Sequence, residues 1–240
     1  MQHTITTSAD GSSTLQLTQF GEAYHSTNGA YTEAMHIYIQ CGLEHLYRHS
    51  NAPIIHIFDI GLGTALNCIL AWAWQQQLRQ KGLPYPRIHY WGIEKYPIPL
   101  AETEKLNYPD IVAQHTGLLP DNLSEIFNFM HKCQWEENVA IHEDFVLHKS
   151  CADIAALGAE YYRKAMGSAV IFYDTFSPAT QPELWDESIF RNIAAGCPAG
   201  SVLVTYCSKG TVKQALRNAG FTLERLAGPP GKRHILRGTL

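Results

Sequence analysis

The chain has 240 residues, of which 45% are apolar and 17% charged, with a net charge of −4. This composition excludes a disordered or fibrous chain and supplies a core that needs neither disulfide nor metal. No apolar run nears the roughly 20 residues that span a bilayer, the polar N-terminus lacks a secretory apolar run, and the six cysteines form no C-x-x-C pair, so a cytoplasmic protein with free thiols and no membrane partner is expected.

Residues 1–20 are polar and rich in Thr and Ser, with one edge strand expected near Thr14–Thr18. Tyr24–Gly29 reads as a loop, and Ala30 to about Cys41 as a helix that stops at Gly42. Residues 1–50 are expected to form an N-terminal extension with a lid helix, packed on a main domain over 51–240. An alternation then begins. Strands are expected at Ile54–Ile60, Ile88–Glu94, Val139–Phe145, Ala169–Asp174 and Ser201–Tyr206. Helices are expected at Thr64–Lys81, Pro97–Leu106, Asp121–His131, Ala152–Lys164, Pro182–Ala195 and Thr211–Ala219, with terminal strands at Phe221–Arg225 and Arg233–Arg237. Apolar strands alternating with helices predict a doubly wound α/β fold with a mainly parallel sheet. Ligands of such sheets bind at the carboxyl ends of the strands, near the point where strand order reverses.

The unusual residues fall at those ends. Asp59-Ile-Gly61-Leu-Gly63-Thr64-Ala65-Leu-Asn67 follows a strand and opens a helix. Gly61 and Gly63 permit a tight turn and close approach of a ligand to the backbone, and the helix start offers free N–H groups. A pyrophosphate could lie there, but the acid at Asp59 is a poor neighbour for it and suits the ammonium of a methionine moiety. Glu94, with Lys95 beside it, is placed to accept from ribose hydroxyls; it follows Gly63 by 31 residues, beyond the roughly 20 usual for a nicotinamide site. Asp144 and Phe145 are placed for an adenine amino group and ring. Asp174, in Asp174-Thr-Phe176-Ser-Pro178, faces the crevice as a carboxylate suited to an amine on which positive charge grows during in-line methyl transfer. Trp185 reads as core filling. Each motif alone also fits a bland role: a glycine turn, a surface acid or a helix cap.

The twelve histidines form no H-E-x-x-H arrangement, so no metal is expected. From Ser201 onward there are seven basic residues and one acid, although the whole chain is acidic. That asymmetry hints at an anionic partner or at a solvated face. The alternatives are a nicotinamide-dependent oxidoreductase on a similar sheet, a methyltransferase for another amine, and a binding module that has lost turnover.

Four stretches carry a family likeness: Tyr24-His-Ser-x-x-Gly29-Ala-x-x-Glu33, Asp59 to Asn67, Asp174 to Trp185, and Gly220-Phe through Gly231-Lys-Arg-His-Ile-Leu-Arg-Gly238. On these the sequence resembles the methyltransferase domain of the tRNA 5-methylaminomethyl-2-thiouridine biosynthesis enzymes, the MnmC type and its stand-alone MnmD-type relatives. The resemblance implies a seven-stranded class I S-adenosylmethionine-dependent methyltransferase fold. It implies methylation of the exocyclic amine of 5-aminomethyl-(2-thio)uridine at the wobble position of tRNA, with Asp174 facing that amine. The donor is expected to lie against Asp59, Gly61, Gly63, Thr64, Ala65, Asn67, Glu94, Lys95, Asp144 and Phe145. The anticodon loop is expected to meet Tyr24, Glu33, Phe176, Pro178, Lys232 and Arg233, with no obligate protein partner. Two departures stand out: Ala65 replaces the usual third glycine, and Thr175 stands where glycine is common. The chain ends at Leu240 without room for the flavin-dependent oxidase domain of bifunctional relatives, so no FAD is expected.

Overall fold

The computed structural model describes residues 3–17 and 23–240. It opens on an antiparallel hairpin of β1 (His3–Thr7) and β2 (Ser13–Leu17), paired from Thr7↔Ser13 to His3↔Leu17. The expected edge strand is thus present with a partner; Thr18, its expected last residue, lies outside the described residues. The hairpin tip is polar because it caps a helix. Ser8 Oγ accepts from Ala30 N at 3.2 Å, Ser12 Oγ from Tyr31 N at 3.1 Å, and Asp10 Oδ2 from Thr32 N at 2.8 Å. Three of the N–H groups that any helix leaves open are therefore satisfied from a distant turn. Burial pushes the Asp10 carboxyl up, but hydrogen bonds from Ser12, Thr32 and Ser8 outweigh it and hold the group well below the usual carboxylate range. Asp10→Ala is expected to cost about 2 kcal/mol of stability, read as a lower urea midpoint.

The capped helix runs over residues 30–49. It begins as α1 (Ala30–Ala34), widens to a π-helix over Met35–Glu44, and ends as α2 (His45–His49). The expected stop at Gly42 does not occur. A stopping glycine takes a positive φ, and Gly42 does not. It serves close packing instead, since a Cβ there would lie 2.8 Å from Val204 Cγ2 and 3.4 Å from Phe172 Cε1.

The main sheet follows: β3 (Ile54–Ile60), α3 (Leu66–Gln80), β4 (Arg87–Glu94), α4 (Leu100–Thr103), α5 (Tyr108–Thr116), α6 (Pro120–Lys132), β5 (Asn138–His142) and β6 (Phe145–Cys151). Then come α7 (Ala159–Tyr162), β7 (Ser168–Tyr173), α8 (Glu187–Gly196), β8 (Val202–Thr205), α9 (Gly210–Asn218), β9 (Thr222–Ala227) and β10 (His234–Thr239). The strand order is β5-β6-β4-β3-β7-β8-β10-β9. Neighbours from β6 to β8 are parallel, β5 and β10 run antiparallel to them, and β9, antiparallel to β10, runs in the direction of β8. The strand order reverses between β3 and β7, so the carboxyl ends of these two strands flank the crevice.

Along β7 the side chains alternate between two cores. Val170 and Phe172 join the helix over 30–49, α3, α5 and α6; Ala169, Ile171 and Tyr173 join α7, α8 and α9. Leu15 of the hairpin and Ile37 and Leu43 of the long helix belong to the first core together with Ile57 of β3.

Several boundaries differ from expectation. The single strand expected over Val139–Phe145 is a hairpin of β5 and β6, which gives the sheet eight strands rather than seven. The helix expected over Ala152–Lys164 is a 3₁₀ turn at Ile154–Ala156 followed by the short α7. The helix expected over Pro182–Ala195 breaks after the 3₁₀ turn Pro182–Trp185, because Asp186 caps α8 by accepting from Ser188 N at 2.8 Å. Helix α5 was not anticipated, although Pro109 at its start and left-handed Gly117 at its end mark it.

Candidate functional site

The turn after β3 sets the floor of the site. Gly61 N and Leu62 N both donate to Ile93 O at 3.0 Å, which ties the turn to the end of β4. Gly61 has φ +93°, and a Cβ there would be 2.5 Å from the carbonyl oxygen of Asp174. Ala65 takes the left-handed φ of +58° as the residue before α3. Glu94 closes the loop from the other side, accepting from Gly63 N at 3.0 Å and Tyr96 N at 2.9 Å. Each of its oxygens keeps a lone pair for a further donor.

A cleft of about 430 Å³ opens over this floor. Gly61, Gly63, Glu94, Lys95, Asp174, Tyr24, Glu33, Phe176 and Lys232 all line it, so most of the expected residues converge. Tyr24 covers the loop: its ring meets Phe176 edge-on with centroids 5.1 Å apart, and its Cδ1 would be 3.0 Å from a Cβ on Gly63. The loop after Asp174 is pinned by Trp185 Nε1, which donates to Phe176 O at 2.9 Å, and by the Tyr206 hydroxyl, which donates to Thr175 O at 2.9 Å. Trp185 is buried, as expected.

Other expected residues lie elsewhere. Asp144 sits in the turn between β5 and β6, and Phe145 pairs with Ile88 at the start of β4. Both are therefore at the amino edge of the sheet, opposite the cleft. Asp144 faces Arg87 at 3.6 Å, and Phe145 is fully buried. The residues found at the true carboxyl end of β6 are Ala152, Asp153 and Ile154, which line the cleft. Asp153 pairs with Lys95 at 2.7 Å.

Asp59 is not in the cleft either. It shares the parity of Ile55 and Ile57 along β3, so it points into the core, where it is 0% exposed. There it accepts from the Tyr90 hydroxyl at 2.5 Å, and burial drives its carboxyl well above the ordinary range. Thr64 is also fully buried and hydrogen-bonded to His25 Nε2 at 2.8 Å. Ala65 faces a second cavity of about 220 Å³ behind Glu94. Asn67 turns toward Asp174, donating to its Oδ2 at 2.9 Å. Pro178 and Arg233 are not among the residues that line the cleft.

His25 was not singled out from the sequence. It lines the cleft, and burial lowers its pKa to about 4, so it is neutral near pH 7. Asp174 is pushed up to about 6 by burial, against the opposing donors Tyr38 and Asn67 and the Lys232 charge. Burial also raises Glu94. Among the described lining residues, five carboxyl groups (Glu33, Glu94, Asp153, Asp174, Glu183) face two ammonium groups, Lys95 and Lys232. Both ammonium groups are already paired, Lys95 with Asp153 and Lys232 with Glu33. A cleft of this sign suits a cationic ligand and repels a diphosphate.

The C-terminal basic cluster is partly neutralised. Besides Lys232, Arg237 makes two bonds to Glu224, at 3.1 and 3.0 Å. Among the described residues, one group, His142, Glu143 and Asp144, brings metal-ligand atoms within 4.8 Å of one another. It lies at the amino edge, and Arg79 already contacts His142 Nε2 at 2.8 Å and Glu143 at 3.3 Å. No helix of the described residues is long and apolar enough to cross a membrane.

Residues 123–240 match the model of a family described as S-adenosyl-L-methionine-dependent methyltransferase. The chain is 28% identical over 229 residues to the tRNA 5-methylaminomethyl-2-thiouridine biosynthesis bifunctional protein MnmC of Delftia acidovorans, covering 91% of this chain and 32% of that protein. The MnmC of Methylobacillus flagellatus is also 28% identical, over 222 residues, with the same coverage. The chain thus spans about a third of the length of these curated relatives. Among solved structures, MnmC2 from Aquifex aeolicus superposes with a TM-score of 0.73 at 24% identity, over 100% of this chain and 70% of that one.

Proposed function

We propose, from the premise that this chain is of the MnmC methyltransferase type, that it moves a methyl group from S-adenosylmethionine to the exocyclic amine of 5-aminomethyl-(2-thio)uridine at the wobble position of tRNA. The observation that carries this reading is the acidic cleft at the reversal of strand order, with Glu94 on one side of the glycine turn and Asp174 on the other. The donor, when bound, supplies an electrophilic methyl group on a sulfonium. Gly61 lets the turn close onto the Asp174 carbonyl and Gly63 lets the Tyr24 ring lie on the loop, which shapes the floor beneath it, and Glu94 accepts from its ribose hydroxyls. Ala152, Asp153 and Ile154 border the adenine end, in place of Asp144 and Phe145.

Asp174 receives an N–H of the acceptor amine and holds the nitrogen lone pair in line with the methyl group. As nitrogen gains its fourth bond, the carboxylate offsets the growing positive charge and takes the proton that nitrogen must release. Tyr24 and Phe176 wall off water around a uridine turned out of the anticodon loop, and the cations of α9, exposed Arg217 and half-buried Lys213, lie on the half of the chain suited to phosphates. The step needs neither flavin nor metal, and the setting proposed is the cytoplasm.

The test is mass spectrometry of wobble nucleosides after incubation with S-adenosylmethionine and tRNA bearing the free aminomethyl group. One added methyl on that nucleoside is expected, together with tRNA binding that weakens steeply as salt rises. Thermal stabilisation by NAD and none by S-adenosylmethionine would overturn the reading in favour of an oxidoreductase.

A further inference from the structure

Asp174 is held from two sides by residues far from it in sequence. The Tyr38 hydroxyl donates to Oδ1 at 2.6 Å, and Asn67 Nδ2 donates to Oδ2 at 2.9 Å. Tyr38 lies in the π-helical stretch Met35–Glu44, and its ring packs on Phe172 with centroids 5.5 Å apart. Gly42, about one turn further on, draws this helix onto β7 and β8, which is what lets the hydroxyl reach the end of β7. π-helical turns within α-helices recur at functional sites because they re-aim side chains.

Asn67 has its own orienting partner. The same Nδ2 lies 3.5 Å from Asp59 Oδ1, and Tyr90 donates to the other oxygen of Asp59. The Asn67 amide oxygen is buried with no hydrogen-bond partner among the described residues. Rotating the amide by half a turn would set that oxygen against Asp174 Oδ2 and take the donor away from the ionised acid. The side chain therefore has one acceptable orientation.

We propose that Tyr38 and Asn67 are positioning residues that fix the rotation of the Asp174 carboxylate, leaving its remaining lone pairs aimed at the acceptor amine, while Asp59 and Tyr90 keep the Asn67 amide the right way round. The proposal rests on the methyl-transfer reading and assigns Asp59 to the support of the acid rather than to the donor. Among the described residues, the other charged or titratable groups near Asp174 are Lys232 from the loop between β9 and β10 and Tyr108 from α5, and those near Tyr38 are Glu33 from α1 and Tyr206 after β8.

Tyr38→Phe keeps the ring and removes only the donor. It is expected to lower kcat about ten- to a hundredfold, with KM and S-adenosylmethionine affinity within about twofold. Losing a donor to the ionised form also raises an acid's titration midpoint. In substrate-free protein carrying carbon-13 in the Asp carboxyl groups, the Asp174 signal, assigned with Asp174→Asn, should titrate about one pH unit higher than in the parent. Asn67→Ala is expected to produce the same two changes, so the result does not hang on one folded variant. A kcat within twofold of the parent, or an unmoved Asp174 midpoint, in both variants would overturn the proposal. Failure of the parent chain to methylate the amine would instead strike the functional reading, and the titration would still decide whether the clamp exists.

Discussion

Asp174→Ala is expected to slow methyl transfer about a thousandfold while changing donor affinity by less than about threefold. The asymmetry follows from position. The carboxyl group lies at the end of β7 across the cleft from Glu94, and its oxygens are engaged by Tyr38 and Asn67, not by the glycine turn. Single-turnover transfer of a labelled methyl group reads the rate, and calorimetry with S-adenosylmethionine reads the affinity. Because alanine leaves two buried donors without an acceptor, Asp174→Asn serves beside it as the variant of similar shape. The parent rate should also fall as pH drops through about 6, where the carboxylate that burial has made easier to protonate takes its proton. An alanine variant of undiminished rate would remove Asp174 from the chemistry.

Gly61→Ala is expected to abolish measurable donor binding and to cost about 3 kcal/mol of stability. Two penalties coincide at this position. The backbone has φ +93°, which an L side chain rarely adopts, and the added Cβ would sit 2.5 Å from the Asp174 carbonyl oxygen and 3.0 Å from its carbon. Neither neighbour is the flexible end of a side chain, so the strands β3 and β7 would have to part. Gly117→Ala is the matched control: its φ is +73°, but nothing lies within 4 Å of the added atom. It should cost only about 1 kcal/mol and leave donor binding intact. Urea unfolding and calorimetry on the pair separate backbone strain from the loss of the site.

The parts of the site that could be read in the sequence are those set by local rules. Gly61, Gly63, Glu94 and Asp174 stand at the ends of apolar strands, and their chemistry is visible within a few residues on either side. Asp59 also stands at a strand end, yet it faces inward. Its parity sets it with Ile55 and Ile57, but Phe58 and Ile60 on the other parity are equally buried, so alternation along a strand covered on both faces does not reveal which side meets the cleft. Asp144 went astray for a topological reason. The single strand expected over Val139–Phe145 crosses the polar turn His142-Glu143-Asp144 between β5 and β6, so an amino edge was taken for a carboxyl edge. Tyr38, which lies 136 residues from its partner Asp174, and Lys232, 199 residues from Glu33, meet only through tertiary packing. Neither pairing leaves a local pattern. The π-helical winding around Tyr38 was equally hidden, because Gly42 reads as a stop unless the proximity of β8 is known.

The hairpin tip that closes the amino end of the long helix has a mechanical consequence. Ser8, Asp10 and Ser12 grip residues 30–32, and the same rod carries Glu33 at its first turn and Tyr38 soon after. A shift of the hairpin tip is therefore carried along the first turns of the helix to the Tyr38 hydroxyl, and through it to the Asp174 carboxylate.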